Sequence, residues 1–143
     1  MTLLAFSRPF WPLFLHVLGA MTTFGVILTA VVLSFVGVGR PEAAFLRRAT
    51  FTTLLTAIPC FIVLRVFAQV ILDDEDFAKD PTWVGIGFLA TDAGLLILLA
   101  SIGCAWWWLR SGKPVAGRIV AGLSTVYLLL LTVAMLAMSG KWG

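Results

Sequence analysis

Two ionisable side chains of opposite charge, Arg65 and Asp92, lie well inside two long apolar segments of this 143-residue chain. The acidic run 73–80, DDEDFAKD, separates the two segments and predicts a short polar turn between them. If both segments are helices, a rise of about 1.5 Å per residue places Arg65 about 11 Å and Asp92 about 15 Å beyond that turn. Because an arginine can donate two hydrogen bonds to one carboxylate, this spacing predicts an Arg65–Asp92 ion pair facing the interior of a helix bundle.

Three further polar residues extend the candidate site. Gln69 follows Arg65 by one helical turn, and Thr91 adjoins Asp92. His16 is the only histidine and lies near the start of the first apolar segment, at a similar depth. The sequence therefore predicts that the polar groups of three helices meet in one half of the bundle, the half that would face outward.

His16 and Arg65 are the candidate cofactor-binding residues, and His16 is also the candidate metal ligand. An imidazole can ligate haem iron or copper, relay protons or hydrogen-bond a quinone, and it can also simply bond a neighbouring helix. Since the chain has one histidine, ligation of haem by two histidines would require a second copy or another subunit. A methionine as the second axial ligand is the other possibility, and the candidates are Met21, Met135 and Met138.

The ion pair has two interpretations. A charge inside a membrane costs several kcal/mol unless it is paired or reaches water, so ionisable residues there are candidates for function. On the first interpretation the pair only joins two helices. On the second it forms a site for a proton, an anion or a cofactor.

The composition indicates that the solvent of this chain is lipid. Hydrophobic residues make up 61% and charged residues 12%, against roughly half and a quarter in soluble domains. The formal charge of +3 does not indicate nucleic acid as a partner, because the basic residues lie at the ends of the apolar segments. The two cysteines do not have the spacing of a zinc site or of a disulfide framework. The sequence also contains no hydrolase or NTPase motif.

Four apolar segments organise the chain, at about 10–38, 49–72, 82–109 and 115–138. Each is long enough to cross a bilayer core of about 30 Å. They predict an all-α, polytopic membrane protein: an antiparallel bundle of four transmembrane helices forming a single domain over 1–143. Trp106, Trp107 and Trp108 are interpreted as an aromatic anchor at one interface. Stripes of mostly small residues predict the faces that pack: His16, Gly19, Thr23 and Ala30; Gly85, Phe88, Asp92, Leu99 and Gly103; and Gly117, Ala121, Ser124, Leu128, Thr132, Met135 and Ser139.

The basic residues predict the orientation. Loops on the cytoplasmic side of a membrane carry an excess of lysine and arginine. The first and third connections share one side with six basic residues, and the other side has three: Arg40, Arg47, Arg48, Arg110, Lys113 and Arg118, against Arg8, Lys79 and Lys141. We therefore expect a multi-pass protein of the inner (plasma) membrane with both termini outward.

The motif FLHVLGAMTTFG, at 14–25, resembles the opening of a broad group of small bacterial four-helix membrane proteins. In that group a histidine near the outer end of the first helix precedes a glycine-bearing stretch. The group includes integral membrane proteins of unknown function and looks related to copper-resistance D proteins and HemJ-type protoporphyrinogen oxidases. The resemblance implies a four-helix membrane fold, with His16 as a candidate ligand.

The sequence favours a non-enzymatic integral membrane protein, either an accessory or structural subunit of a membrane complex or a homo-oligomer. Its partners would be membrane lipid and another membrane subunit or itself, and this interpretation needs no cofactor. One alternative is a redox protein linked to haem or quinone through His16 with Arg65 nearby. Another is a small proton-coupled carrier component that uses Asp92 and Arg65.

Overall fold

A computed structural model describes residues 10–40, 42, 44–74 and 82–140. The described chain folds into four α-helices: α1 (Phe10–Gly39), α2 (Ala44–Asp74), α3 (Thr82–Ser111) and α4 (Pro114–Gly140). The prediction of an all-α four-helix bundle is confirmed. Asp73 and Asp74 of the acidic run belong to the end of α2, whereas 75–80 and the tail residues 141–143 lie outside the described residues.

The helices extend beyond the apolar segments that predicted them. The clearest case is α2, which begins at Ala44 rather than near 49 and so includes Arg47 and Arg48. A long basic side chain can stay on a helix at the headgroup level because its charged end reaches water. The end of α3 is marked by Gly112, whose φ of +67° is a left-handed conformation suited to glycine. Pro114 then begins α4, where a missing N–H costs little.

Each helix contains a span long and apolar enough to cross a membrane. The spans have 24 to 29 residues and mean hydropathies between 1.9 and 2.3, and at most a third of each is buried within the bundle. Apolar side chains therefore cover most of the outer surface, which water would not solvate. The chain is a multi-pass membrane protein, and its orientation and its place in the inner membrane stay predictions.

The four helices pack as two antiparallel hairpins. The most extensive interface joins α1 to α2, the next joins α3 to α4, and α1 also packs on α4. The interface between α2 and α3 is the smallest of these. We call the end where α2 stops at Asp74 and α3 starts at Thr82 the acidic end. We call the opposite end, where α1 and α3 stop, the basic end.

Trp108 is a core residue near the basic end, so its assignment to the interfacial anchor is wrong. It is 2% exposed, whereas Trp106 and Trp107 are exposed. Glycines make room for the indole: a Cβ on Gly37 would lie 2.7 Å from a ring carbon of Trp108, and a Cβ on Gly117 would lie 2.6 Å from another. The absence of two side chains on α1 and α4 is what lets this large ring enter the core.

The predicted packing faces are right for α1 and wrong for α3. On α1, Gly19, Thr23 and Ala30 are all buried. On α3, most of the predicted stripe is exposed, and a different face packs. The exposed residues of that stripe are Gly85, Asp92, Leu99 and Gly103; the face that packs carries Ala90, Thr91, Gly94, Leu98, Ser101 and Ala105. On α4, Gly117, Ala121 and Ser124 are buried and Met135 is exposed.

Candidate functional site

Arg65 on α2 and Asp92 on α3 lie side by side. The distance from Arg65 Nε to Asp92 Oδ1 is 3.6 Å. Arg65 Nη1 also donates a hydrogen bond of 3.2 Å to Gln69 Oε1, one turn along the same helix. The guanidinium lies over the ring of Phe88, 4.5 Å from its centroid, which is a cation–π arrangement. Arg65 is thus held by one carboxylate, one amide and one aromatic ring.

The ion pair lies on the surface of the bundle, along the seam between α2 and α3. The side chain of Arg65 is 31% exposed and that of Asp92 is 67% exposed. The prediction that the pair faces the bundle interior is therefore wrong for Asp92. The prediction fails because of the rotation of α3 about its own axis: the neighbouring residue, Thr91, is buried, and Asp92 faces outward.

The side chain of Thr91 bonds to the backbone of α3 and does not contact the ion pair. Its hydroxyl donates to the carbonyls of Gly87 and Phe88, at 3.0 and 2.9 Å. Gln69 is the supporting residue that the structure places against the pair, through its bond to Arg65. Of the two predicted supporting side chains, one therefore contacts the ion pair and the other stabilises the helix that carries it.

The carboxylate of Asp92 lies deep relative to the helix ends. It is about 15 Å from the start of α3, and Arg65 is about 14 Å from the end of α2, at about 1.5 Å per residue. Asp92 lies inside the apolar span Gly85–Ser111, so its side chain is at the level of the hydrocarbon rather than at the helix end. An ionised carboxylate has about four acceptor positions, and its contact with Arg65 is longer than an ordinary hydrogen bond. Much of its acceptor capacity therefore faces outward from the bundle.

His16 joins α1 to α2. Its Nδ1 lies 3.1 Å from the carbonyl oxygen of Leu64. Because a carbonyl only accepts, this contact places a proton on Nδ1, and in the neutral tautomer Nε2 then carries the lone pair. The imidazole is half-buried, so its ring is held by α2 while one nitrogen remains able to accept a hydrogen bond or ligate a metal.

The backbones of α1 and α2 come into contact one turn further along. A Cβ on Gly19 would lie 2.8 Å from the Leu64 nitrogen and 3.0 Å from its Cα. The carbonyl of Gly19 accepts a 2.6 Å hydrogen bond from Thr23. The stretch that carries His16 is therefore shaped for close helix packing.

His16 bonds to Leu64, the residue that precedes Arg65 on α2, but it forms no bond with Arg65 itself. His16 contacts the carbonyl of Leu64, whereas Arg65 reaches across to α3. Within the described ranges, no group of three or more histidine, cysteine, aspartate or glutamate side chains could hold a metal ion. The two cysteines, Cys60 and Cys104, are free thiols. In the described part of one chain, side chains of these types therefore do not cluster around His16 to complete a metal site.

Two buried hydroxyls were not identified as polar features from the sequence. Ser124 and Tyr127 are each 1% exposed, and neither hydroxyl oxygen has a hydrogen-bond partner among the described residues. The ring of Tyr127 packs directly on Gly94, whose missing side chain makes room for it. The sequence did contain a sign of this feature. Tyr127 is the only tyrosine of the chain and lies in an apolar segment, where its hydroxyl would need a partner.

The four apolar spans define the class of this molecule: a polytopic membrane protein built as a bundle of four helices. No known protein family, no curated protein and no solved structure matches the chain. The resemblance of 14–25 to the four-helix group related to copper-resistance D and HemJ-type proteins stays a prediction.

Proposed function

We propose that this protein is a non-enzymatic component of a membrane assembly, and that the face of α3 bearing Asp92 docks against a second copy of the chain. The observation that carries the proposal is the 67% exposure of the Asp92 side chain at a depth of about 15 Å along α3. Lipid tails offer a carboxylate no hydrogen bond. A protein surface that covers Asp92 would supply the missing donors.

The charges of the seam are self-complementary. A two-fold axis along the membrane normal keeps every residue at its own depth in both copies. Arg65 and Asp92 lie at nearly equal depths, about 14 and 15 Å from the acidic end. Asp92 of one copy can therefore approach Arg65 of the other, and the reverse contact forms at the same time.

The surface around Asp92 suits a second helix. Leu89 and Leu96, one turn to either side, are each 70% exposed. The glycines Gly85 and Gly103 lie on the exposed predicted stripe, and a Cβ on either would meet nothing within 4 Å. Small residues let membrane helices approach closely. The stripe that fails to pack inside one bundle is thus available to pack between two.

Cross-linking between copies tests this interface. In a background without Cys60 and Cys104, Leu96→Cys should form a disulfide between two chains in the membrane, because it lies one turn from Asp92. The matched control is Leu129→Cys on α4, which is similarly exposed and outside the proposed interface. Equal cross-linking at both positions, or none at Leu96, would contradict the proposed interface.

The carrier interpretation makes a different prediction for the same carboxylate. Asp92→Asn removes the titratable group and keeps its shape and a hydrogen-bonding side chain. If the protein only assembles through this face, the copies should still cross-link and the uptake of small ions or solutes should not change. Altered uptake with retained cross-linking would favour the proton-coupled carrier that uses Asp92 and Arg65.

A second function, redox chemistry through haem or quinone, is favoured by the hydrogen bond of His16. A histidine that binds a metal commonly donates its other ring N–H to a carbonyl or carboxylate, which orients the ring. His16 makes that bond to Leu64 and leaves Nε2 available. A second imidazole, which one chain lacks, would have to come from a copy or subunit that docks beside α1 and not at the Asp92 face.

Visible absorption spectroscopy tests the redox function. The purified protein should show a Soret band that His16→Ala and His16→Gln both remove. His16→Gln is the matched variant, because its amide can still donate a hydrogen bond to Leu64 and keep α1 on α2. Wild-type protein without a bound chromophore, purified from cells supplied with haem and quinone, would contradict this second function.

A further inference from the structure

A groove of about 340 Å³ opens on the bundle surface between α1 and α4, toward the basic end. Its lining residues are Phe35, Val38, Arg118, Ala121 and Gly122. Gly122 is exposed, and a Cβ on it would meet no atom within 4 Å. The missing side chain therefore leaves open space next to the exposed ring of Phe35.

The groove runs from near the start of α4 toward the middle of the bundle. Arg118 lies about 6 Å and Gly122 about 12 Å from the start of α4. Its base is closed where the two helices touch, because a Cβ on Gly117 would lie 2.8 Å from a methyl carbon of Val38. The deeper wall is apolar, and the one charged lining residue, Arg118, stands near the mouth.

The end of the bundle at which the groove opens carries an excess of positive charge. Among the described residues, the basic end carries six basic side chains and one acidic one: Arg40, Arg47, Arg48, Arg110, Lys113 and Arg118, with Glu42. Arg118 is exposed and forms no salt bridge with any residue in the described ranges. Basic pockets between membrane helices attract anionic lipid headgroups.

We propose that this groove binds an anionic phospholipid. The phosphate would lie against the guanidinium of Arg118, and an acyl chain would follow Phe35 toward Gly122. A phospholipid matches both properties of the groove, a cation at the headgroup level and an apolar channel below it. The site lies between α1 and α4 and is independent of the seam at Asp92.

The test is lipid retention, measured by native mass spectrometry of purified protein from bilayers of equal phosphatidylglycerol and phosphatidylcholine. The wild type should retain phosphatidylglycerol in preference to phosphatidylcholine. Arg118→Gln should reduce retained phosphatidylglycerol about fivefold, the effect of one basic residue near an anionic surface. Gly122→Leu should reduce retention of both lipids, because its side chain would fill the groove.

Matched variants separate this site from general effects. Arg48→Gln removes an exposed charge at the same end on α2, and Gly25→Leu adds a side chain at another open glycine, where a Cβ also meets nothing within 4 Å. Both should retain lipid as the wild type does, with unchanged far-ultraviolet circular dichroism. Equal retention of the two lipids by the wild type, or equal losses in the matched variants, would overturn the proposal. The proposal would also be overturned if Gly122→Leu kept its bound lipid but changed from two copies of the chain to one, because the groove would then be a protein interface.

Discussion

Gly19→Ala is the substitution for which the packing of α1 on α2 makes the sharpest prediction. The added Cβ would lie 2.8 Å from the nitrogen and 3.0 Å from the Cα of Leu64. Both are backbone atoms of α2, which cannot rotate away as a flexible side chain would. The two helices must therefore separate locally, and the 3.1 Å contact from His16 to the carbonyl of Leu64 lengthens with them.

The expected cost follows from these two effects. Forcing an extra carbon into a well-packed interface costs about 1–3 kcal/mol, and a hydrogen bond between membrane helices contributes about 0.6 kcal/mol. Alanine favours a helix over glycine by up to about 1 kcal/mol, which offsets part of the loss. We expect Gly19→Ala to lower the free energy of unfolding by about 1–3 kcal/mol in total.

Reversible unfolding in mixed micelles, driven by dodecyl sulfate and followed by circular dichroism, measures this loss. The matched control is Gly25→Ala on the same helix, where a Cβ meets nothing within 4 Å. The control should be neutral or more stable than the wild type by up to about 1 kcal/mol. Equal stability of the two alanine variants would refute the close contact between α1 and α2.

Three other predictions concern the core, the topology and the ion pair. Tyr127→Phe should raise the free energy of unfolding by about 1–3 kcal/mol, because it removes a buried hydroxyl without a partner; a loss of stability would show that the hydroxyl is bonded in the membrane. Single cysteines at Glu75 and Lys113, in a cysteine-free background, should react from opposite sides of the membrane, with Glu75 outside; the reverse labelling would invert the orientation. Arg65→Leu and Asp92→Leu should each cost more stability alone than together, because each leaves a lone charge in lipid; additive losses would mean that the two side chains do not interact.

Length and hydropathy were sufficient to predict the fold. Four apolar runs, each longer than a bilayer requires, leave little choice but a helical bundle, and the structure has it. The ends were less predictable. Hydropathy reports where lipid contact stops, whereas backbone hydrogen bonding continues through basic residues that reach water. This is why α2 begins at Ala44 instead of near 49.

Depth along the membrane was predictable, and the direction each residue faces was not. The constant rise of a helix places Arg65 and Asp92 at the same level, and the structure has them 3.6 Å apart. Rotation about the helix axis has no such constraint, because a membrane helix is apolar on all sides. The small residues Gly85 and Gly103 indicated a buried face on α3, but those residues are exposed.

Contacts between side chains of different helices could not be predicted from the sequence either. Three consecutive tryptophans are typical of an interfacial anchor, and only the positions of Gly37 and Gly117 reveal that Trp108 has space in the core. The protonated nitrogen of His16 likewise depends on where the Leu64 carbonyl lies. Each of these features is a contact between distant parts of the chain.

Assembly through the Asp92 face is tested most directly by a native mass spectrum of the purified protein released from lipid nanodiscs. The wild type should appear mainly as two copies of the chain. The double variant Arg65→Leu with Asp92→Leu should appear mainly as one folded copy, whereas Thr29→Leu, at an exposed position on α1, should keep two. A wild-type spectrum of single chains without any protein partner, or an unchanged stoichiometry in the double variant, would contradict docking through Asp92.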